Sequence, residues 1–258
     1  MVARIRVGHR AVNAIIAAAL ALALALLGGR LRWLAPDGVA AAAVVGAAVF
    51  WGGGLRGALL LSVFFVSGSM LTMARERRPR TARQVLANGA VAGLASVLLP
   101  LNPERGWLAL AGGLAAAQAD TWATEIGAYA TRPPRLITTW APVPAGTSGA
   151  VTLLGTVAGT AGAAVTAAIL RLTGATGEAA MATFAAGVIG MLIDSLAGAT
   201  VQASYRCPSC GATLEHSRDG CGAAAVRIRG VACVDNDAVN LIATIAGAAT
   251  AMLSSGAS

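Results

Sequence analysis

Asp120 and Glu125 lie inside an apolar stretch together with Gln118, Thr121 and Thr124. At 100° per residue these five fall within an arc of roughly 160° on a helix, with Trp122, Ala123 and Ile126 on the remainder. A carboxylate at mid-membrane costs roughly 2.5–3.5 kcal/mol on insertion scales, so such residues face a cavity or a partner. The stretch contains no basic residue to make a structural ion pair from within. A second polar stripe runs through Gly187, Met191, Asp194, Ser195, Gly198 and Gln202. A third opens the last apolar stretch, where Asn236, Asn240 and Thr244 share a face with Gly247, and Asp235 and Asp237 flank Asn236. An acid at a helix start also serves as a cap, which gives Asp235 a second explanation. Carboxylates and amides that converge need a cation, and an oxygen-rich set suits Mg²⁺ better than zinc or copper.

Magnesium keeps company with phosphates, and the chain supplies complementary charge. Arg75, Arg77, Arg78, Arg80 and Arg83 form a dense run leading into Gln84 and Asn88, one helical turn apart. Taken alone, a basic run beside a membrane is a topology anchor or a headgroup patch. The segment Pro144-Ala145-Gly146-Thr147-Ser148-Gly149 precedes an apolar helix, so its N–H groups and hydroxyls are expected at a positive helix end, an anion-binding arrangement. The same residues also read as an ordinary turn with a cap. The loop that holds them starts at Arg132-Pro133-Pro134-Arg135 and carries Thr138, Thr139 and Trp140.

All four cysteines fall in one short polar stretch, which favours metal over scattered disulfides. Cys207-Pro208-Ser209-Cys210-Gly211 has the form of a zinc knuckle, and Cys221-Gly222 repeats half of it. A tetrahedral zinc needs a fourth ligand, for which His216 and Cys233 compete. His216 is favoured because Cys233 lies past Arg227–Gly230 and close to the next span. A disulfide and free thiols stay open as alternatives. With four ligands the site is structural and pins its loop.

The elements that position these residues belong to a membrane protein. The 258 residues are 57% hydrophobic and 12% charged, with mean hydropathy +0.72, which excludes a large soluble catalytic domain. Apolar stretches near 11–28, 38–53, 56–74, 84–101, 107–130, 150–172, 180–203 and 236–254 predict an all-α, polytopic bundle of about seven or eight transmembrane helices. Their Ala and Gly content predicts close helix packing. The first stretch, preceded by Arg4, Arg6 and Arg10, reads as a transmembrane helix in preference to a signal peptide. Residues 1–74 are expected to form amino-terminal helices. Residues 75–258 would form a catalytic core whose motif loops include the Cys-rich loop 204–235.

All 19 basic residues are arginine, against 11 acids, for a net charge of +8. With eight spans, 13 arginines fall in loops on one side and 6 on the other, and the positive-inside rule makes the first side cytoplasmic. A multi-pass plasma-membrane protein with its site facing the cytoplasm follows as the expectation. Arginines placed between apolar spans set topology and bind phosphate or lipid headgroups, so no nucleic-acid partner is expected.

The ordered series Arg83-Gln84-Val85-Leu86-Ala87-Asn88-Gly89, Asp120-Thr121-Trp122-Ala123-Thr124-Glu125-Ile126-Gly127, Pro134-Arg135-Leu136-Ile137-Thr138-Thr139, Gly146-Thr147-Ser148-Gly149, Asp194-Ser195-Leu196-Ala197-Gly198-Ala199-Thr200-Val201-Gln202 and Asn236-Asp237 resembles the motifs of an integral-membrane family. That family includes plant phytyl-phosphate kinases and the animal transmembrane protein 19. The resemblance covers about residues 75–245. Departures are Ala119 where Gly is frequent, Thr124 where Ser is common, Ser148 where Asn occurs, and Cys233 where an aromatic residue is usual. None removes an acid, and the last supports leaving Cys233 out of the zinc set of Cys207, Cys210, His216 and Cys221.

The resemblance implies distant kinship with CTP-dependent dolichol and phytol kinases. The expected activity is transfer of the terminal phosphate of a nucleoside triphosphate, CTP by resemblance, to an isoprenyl monophosphate such as phytyl or geranylgeranyl phosphate. The residue chemistry agrees, because an anionic acceptor needs charge neutralisation more than a strong base. Asp120, Asp194 and Asp237 are the expected Mg²⁺ ligands, with Glu125 and Asn236 in support. Arg78, Arg83, Asn88, Arg135 and the turn of Gly146, Thr147, Ser148 and Gly149 are expected to bind the phosphates. Two other readings use the same acids: a membrane carrier or lipid flippase with intramembrane carboxylates, and a lipid-phosphate transferase acting on a CDP-linked alcohol.

Overall fold

The computed structural model describes residues 2–75, 78–214, 221 and 224–254, with residues 2–14 described by backbone alone. Seven helices account for most of it: α1 Val2–Arg30, α2 Pro36–Ala74, α3 Ala82–Leu98, α4 Pro103–Gly127, α5 Leu153–Leu172, α6 Gly177–Thr200 and α7 Asn236–Ser254. Two small antiparallel sheets sit in the connections. One pairs β1 Arg135–Leu136 with β2 Ala150–Val151. The other has the order β4 Thr213–Leu214, β3 Ser204–Arg206, β5 Val226–Arg229. By length and composition α2, α5, α6 and α7 can each cross a membrane.

Helix α2 has 39 residues. A straight helix of that length would run roughly 58 Å at 1.5 Å per residue, about twice the hydrocarbon thickness of a bilayer. It does not run straight, because Gly54 takes φ 53° and ψ −149°, a conformation open to glycine alone. The chain folds back there into arms 36–53 and 55–74, and both far ends come to Arg80. The N–H of Ala35 donates to the Arg80 carbonyl at 2.9 Å, while the N–H of Arg80 donates to Trp33 at 3.0 Å. Asp37 fixes the junction by accepting from its neighbour Gly38 at 2.9 Å and from Ala82, at the start of α3, at 3.0 Å. The two stretches expected at 38–53 and 56–74 are these arms, giving eight helical arms in all.

Helix α4 is the axis of the bundle, with every residue from Leu108 to Ala119 buried. Such all-round burial requires a helix without bulky side chains where its neighbours press. A Cβ on Gly112 would lie 2.6 Å from the Gly247 carbonyl of α7, and one on Gly187 of α6 would lie 3.1 Å from the Ala115 carbonyl. Gly159 of α5 faces the Ala119 carbonyl in the same manner. The expected divide after residue 74 is crossed by polar contacts, since Ser67 Oγ accepts from Gln118 Nε2 at 3.1 Å and from Trp122 Nε1 at 3.2 Å.

Caps set the helix starts. Asn102, Thr152 and Thr176 accept from the N–H groups of Arg105, Gly155 and Ala179 at 3.1, 3.0 and 3.2 Å. Cap Thr152 begins α5 at Leu153, so the expected helix at 150–172 is corrected: residues 150–151 belong to β2. The described residues of the connections at 31–35, 75–81, 128–152 and 201–235 gather at one end, called here the loop end. At the other end Arg56 bonds the Thr173 carbonyl and stacks 4.9 Å from the Trp107 ring centre.

Gly54→Val should lower the thermal midpoint of the purified protein in detergent, because a branched residue at that φ costs about 1–3 kcal/mol. Gly177→Ala, at an α6 position with nothing within 4 Å, should leave the midpoint unchanged. Equal midpoints for wild type and Gly54→Val would refute the fold-back.

Candidate functional site

Asp120 and Asp194 meet across the α4–α6 contact. The close approach is set one turn lower, where Gly190 of α6 lies against Ala116 of α4 and 3.1 Å from the Ala243 carbonyl of α7 by its would-be Cβ. Four residues further toward the loop end, each of the two parallel helices carries its aspartate, and the two carboxyl groups lie side by side. Asp194 Oδ2 is buried with no hydrogen-bond partner. Helix α7 runs the opposite way, so stepping back one turn from Ala243 brings Asn240 to the same level, with Asp237 about one turn nearer the loop end. Thr124, one turn beyond Asp120 on the same face, and Asn236 are exposed, leaving the pair approachable from the loop end.

Two carboxyls in this position need either a shared proton or a cation between them. The donor set is hard oxygen, one acceptor atom is unsatisfied, and small residues leave the helices close below. Those features fit Mg²⁺.

Glu125 turns away from this pair. It is buried against α2, where Oε1 accepts from Thr72 Oγ1 at 3.1 Å and Oε2 from Arg75 Nη1 at 3.2 Å. The polar arc of α4 is therefore divided, with Gln118 and Glu125 serving the α2 contact and Asp120 the α6 contact. No basic residue lies within the stretch itself, and the partner of Glu125 comes from outside it: Arg75 reaches Glu125 from the loop, so this acid does form a structural ion pair.

At the junction of α3 and α7, Arg83 Nη2 lies 2.7 Å from Asp235 Oδ2, and its Nε lies 3.7 Å from Asp237 Oδ2. Arg83 and Asp237, expected to take opposite charges of an incoming ligand, are thus engaged with each other. Asp235 also caps α7, accepting from Ala238 N–H at 3.0 Å. Burial would raise the Asp235 carboxyl, but the Ala238 N–H and the Arg83 guanidinium together outweigh it and hold its pKa below the ordinary value.

Of the remaining expected phosphate ligands, Arg78 is exposed in its loop and Arg135 is exposed with Nη1 donating to the Trp140 carbonyl at 2.7 Å. Asn88 donates to the Gln84 carbonyl at 2.9 Å and lines a cleft toward α1 and α2. Arg77 lies outside the described residues. The turn of Gly146, Thr147, Ser148 and Gly149 is not at a helix N-terminus, which corrects the expected arrangement. Strand β2 separates it from α5, and Gly149, at φ 79°, packs against Ala199 near the carboxyl end of α6. Arg229, which sequence reasoning did not single out, secures it: Nη2 donates to the Ser148 carbonyl at 3.2 Å and to the Gly198 carbonyl at 2.9 Å.

In the Cys-rich loop the ligand atoms of Cys207, Cys210 and Cys221 lie within 4.8 Å of one another. The knuckle has its turn, with Gly211 at φ 74°, the Cys207 N–H on the Ala212 carbonyl at 2.9 Å, and the Cys210 N–H on Cys207 Sγ at 3.4 Å. Three convergent thiols fit one zinc ion with a fourth position to fill. His216, the expected fourth ligand, lies outside the described residues. Cys233 is exposed and stands outside the cluster.

The family described as Integral membrane protein DUF92 matches residues 19–248. An uncharacterized membrane protein of Methanocaldococcus jannaschii is 30% identical over 233 residues, covering 87% of each chain. Protein PGR of Arabidopsis thaliana is 31% identical over 234 residues, covering 74% of this chain and 79% of its own. No solved structure matches.

The Arg83–Asp235 contact gives a pH signature. A depressed carboxyl contributes stability above the unfolded value of about 3.9 and loses it as pH falls through the folded value. The difference in thermal midpoint between wild type and Asp235→Asn should be constant near neutrality and shrink below about pH 4. A difference that does not change with pH would contradict the assignment. Zinc analysis of the purified chain should find one ion per molecule, lost in Cys207→Ser and Cys210→Ser; a metal-free wild type would remove the site.

Proposed function

The chain belongs to the DUF92 family of integral membrane proteins, and from that premise we propose that it is a kinase for isoprenyl monophosphates. In this reading a phosphate oxygen of the acceptor attacks the terminal phosphorus of a nucleoside triphosphate, CTP by resemblance. The bond from that phosphorus to the bridging oxygen breaks, and the nucleoside diphosphate leaves with the electron pair. The product is an isoprenyl diphosphate, with phytyl or geranylgeranyl phosphate as the acceptor class.

The observation that carries the reading is the Asp120–Asp194 pair, with its unsatisfied oxygen, set below an arginine-rich loop end. Both reactants are polyanions, so the protein's task is to hold them in line and neutralise charge. Asp120 and Asp194 would hold Mg²⁺, which when bound supplies positive charge to the phosphates, and Asn240 reaches the same level from α7, with Asp237 and Asn236 nearer the loop end. Arg78 and Arg135, both exposed at the loop end, would receive the triphosphate, and Arg83 would join them once it parts from its acids. Glu125 supports the site indirectly, by tying α2 to α4. The bias of arginine toward this end favours a cytoplasmic site.

Membranes containing the protein, given CTP labelled in its terminal phosphate and a panel of prenyl monophosphates, should yield labelled prenyl diphosphate. Asp120→Asn and Asp194→Asn should each reduce turnover by about 10²-fold or more with the helical signal and thermal midpoint retained. Undiminished turnover in both variants would remove the carboxylates from the chemistry, and label transfer to no prenyl acceptor would remove the reaction.

A further inference from the structure

An open cleft lies between α1, the two arms of α2 and the start of α3. Its walls are aliphatic and aromatic, including Ala21, Ala25, Val45, Phe50, Phe64 and Phe65, and one end is polar, formed by Arg80, Gln84 and Asn88.

Arg80 is an unusual residue to find there. Its backbone is bonded on both sides, to Trp33 and Ala35, so its position is fixed. Its guanidinium stacks 5.7 Å from the Phe64 ring centre and donates one long hydrogen bond, 3.5 Å from Nη2 to Thr72 Oγ1. Among the described residues it makes no ion pair within 4.0 Å, whereas neighbouring Arg75 and Arg83 both do. Burial works against its charge and the Glu125 carboxylate offsets this only in part. A guanidinium offers five donors, and among the described residues only the Thr72 hydroxyl is bonded to it. The group passes over Gly68, where a Cβ would meet Arg80 Nη2 at 2.8 Å and Thr121 Cγ2 at 3.2 Å. That contact sets the cation against the α2-facing side of α4.

A fixed cation with spare donors at the head of an apolar cleft complements one kind of molecule, an amphiphile with a compact anionic head and a hydrocarbon tail. We propose that this cleft holds the isoprenyl monophosphate, its tail between α1 and the arms of α2 and its phosphate on Arg80, with the Gln84 and Asn88 amides beside it. This rests on the kinase reading for the identity of the lipid. It assigns the amino-terminal helices a role in binding the acceptor and adds Arg80 as a binding residue.

The test uses the purified full-length chain in detergent, without nucleotide, and a geranylgeranyl monophosphate carrying a photoreactive group on its tail. Adducts should map to residues 21–25, 42–50 and 61–65. Unlabelled geranylgeranyl monophosphate should compete, while geranylgeraniol, inorganic phosphate and phosphatidate vesicles should compete at least about tenfold less well. Arg80→Gln should reduce labelling by a similar factor and Arg80→Lys by less. Ala42→Phe, which fills the cleft without touching the cation, should also block labelling.

Adducts confined to α5, α6 and α7, labelling indifferent to both Arg80→Gln and Ala42→Phe, or equal competition by phosphatidate would each overturn the proposal. Phosphate transfer with adducts elsewhere would sink this site and leave the kinase intact. Labelling in the cleft without any transfer would do the reverse.

Discussion

Helix α4 can occupy the centre of this bundle only because it has almost no side-chain bulk where its neighbours press upon it. In a lipid environment, helices gain little by hiding apolar surface from one another, and association rests on close van der Waals contact. Gly112, Ala115, Ala116 and Ala119 allow α5, α6 and α7 to approach backbone to backbone. That approach determines the height of every polar residue above it. With Gly190 seated on Ala116, the next turn of each helix must bring Asp120 and Asp194 face to face. The carboxylate pair is a consequence of register, and register is a consequence of small residues.

The acids of the bundle are then sorted by which loop can reach them. Glu125 is one and a half turns beyond Asp120 toward the loop end, within reach of Arg75, and becomes part of the α2–α4 joint. Asp235 and Asp237 sit at the helix mouth and meet Arg83. Asp120 and Asp194 are deeper than any of these arginines, and Asp194 keeps an oxygen with no donor. Depth along the helix axis separates joints from chemistry.

Much of this was legible in the sequence. Apolar stretches gave eight arms, including the break in α2, because Gly52, Gly53 and Gly54 interrupt a run too long for one crossing. The stripes containing Asp120 and Asp194 were visible by helical spacing, and so was the knuckle of Cys207 and Cys210. Rotation was less accessible: an arc of 160° can face one cavity or two neighbours, and α4 turned out to face two. The turn at Gly146–Gly149 was misplaced because Thr152, an equally good cap three residues on, starts α5 and leaves the turn to pack on α6. Arg80 and Arg229 carried no distinguishing signal among 19 arginines, since what marks them is the chain that folds around them.

The cluster of Arg83 with Asp235 and Asp237 has a thermodynamic corollary. An anion drawn to Arg83 must displace two carboxylates, and a cation drawn to Asp237 must displace a guanidinium. Each displacement leaves behind the charge that the other species is seeking. Anion and cation therefore gain from each other's arrival, and by linkage the benefit is the same in either order. The mouth of the bundle disfavours a lone ion of either sign and welcomes a neutral pair.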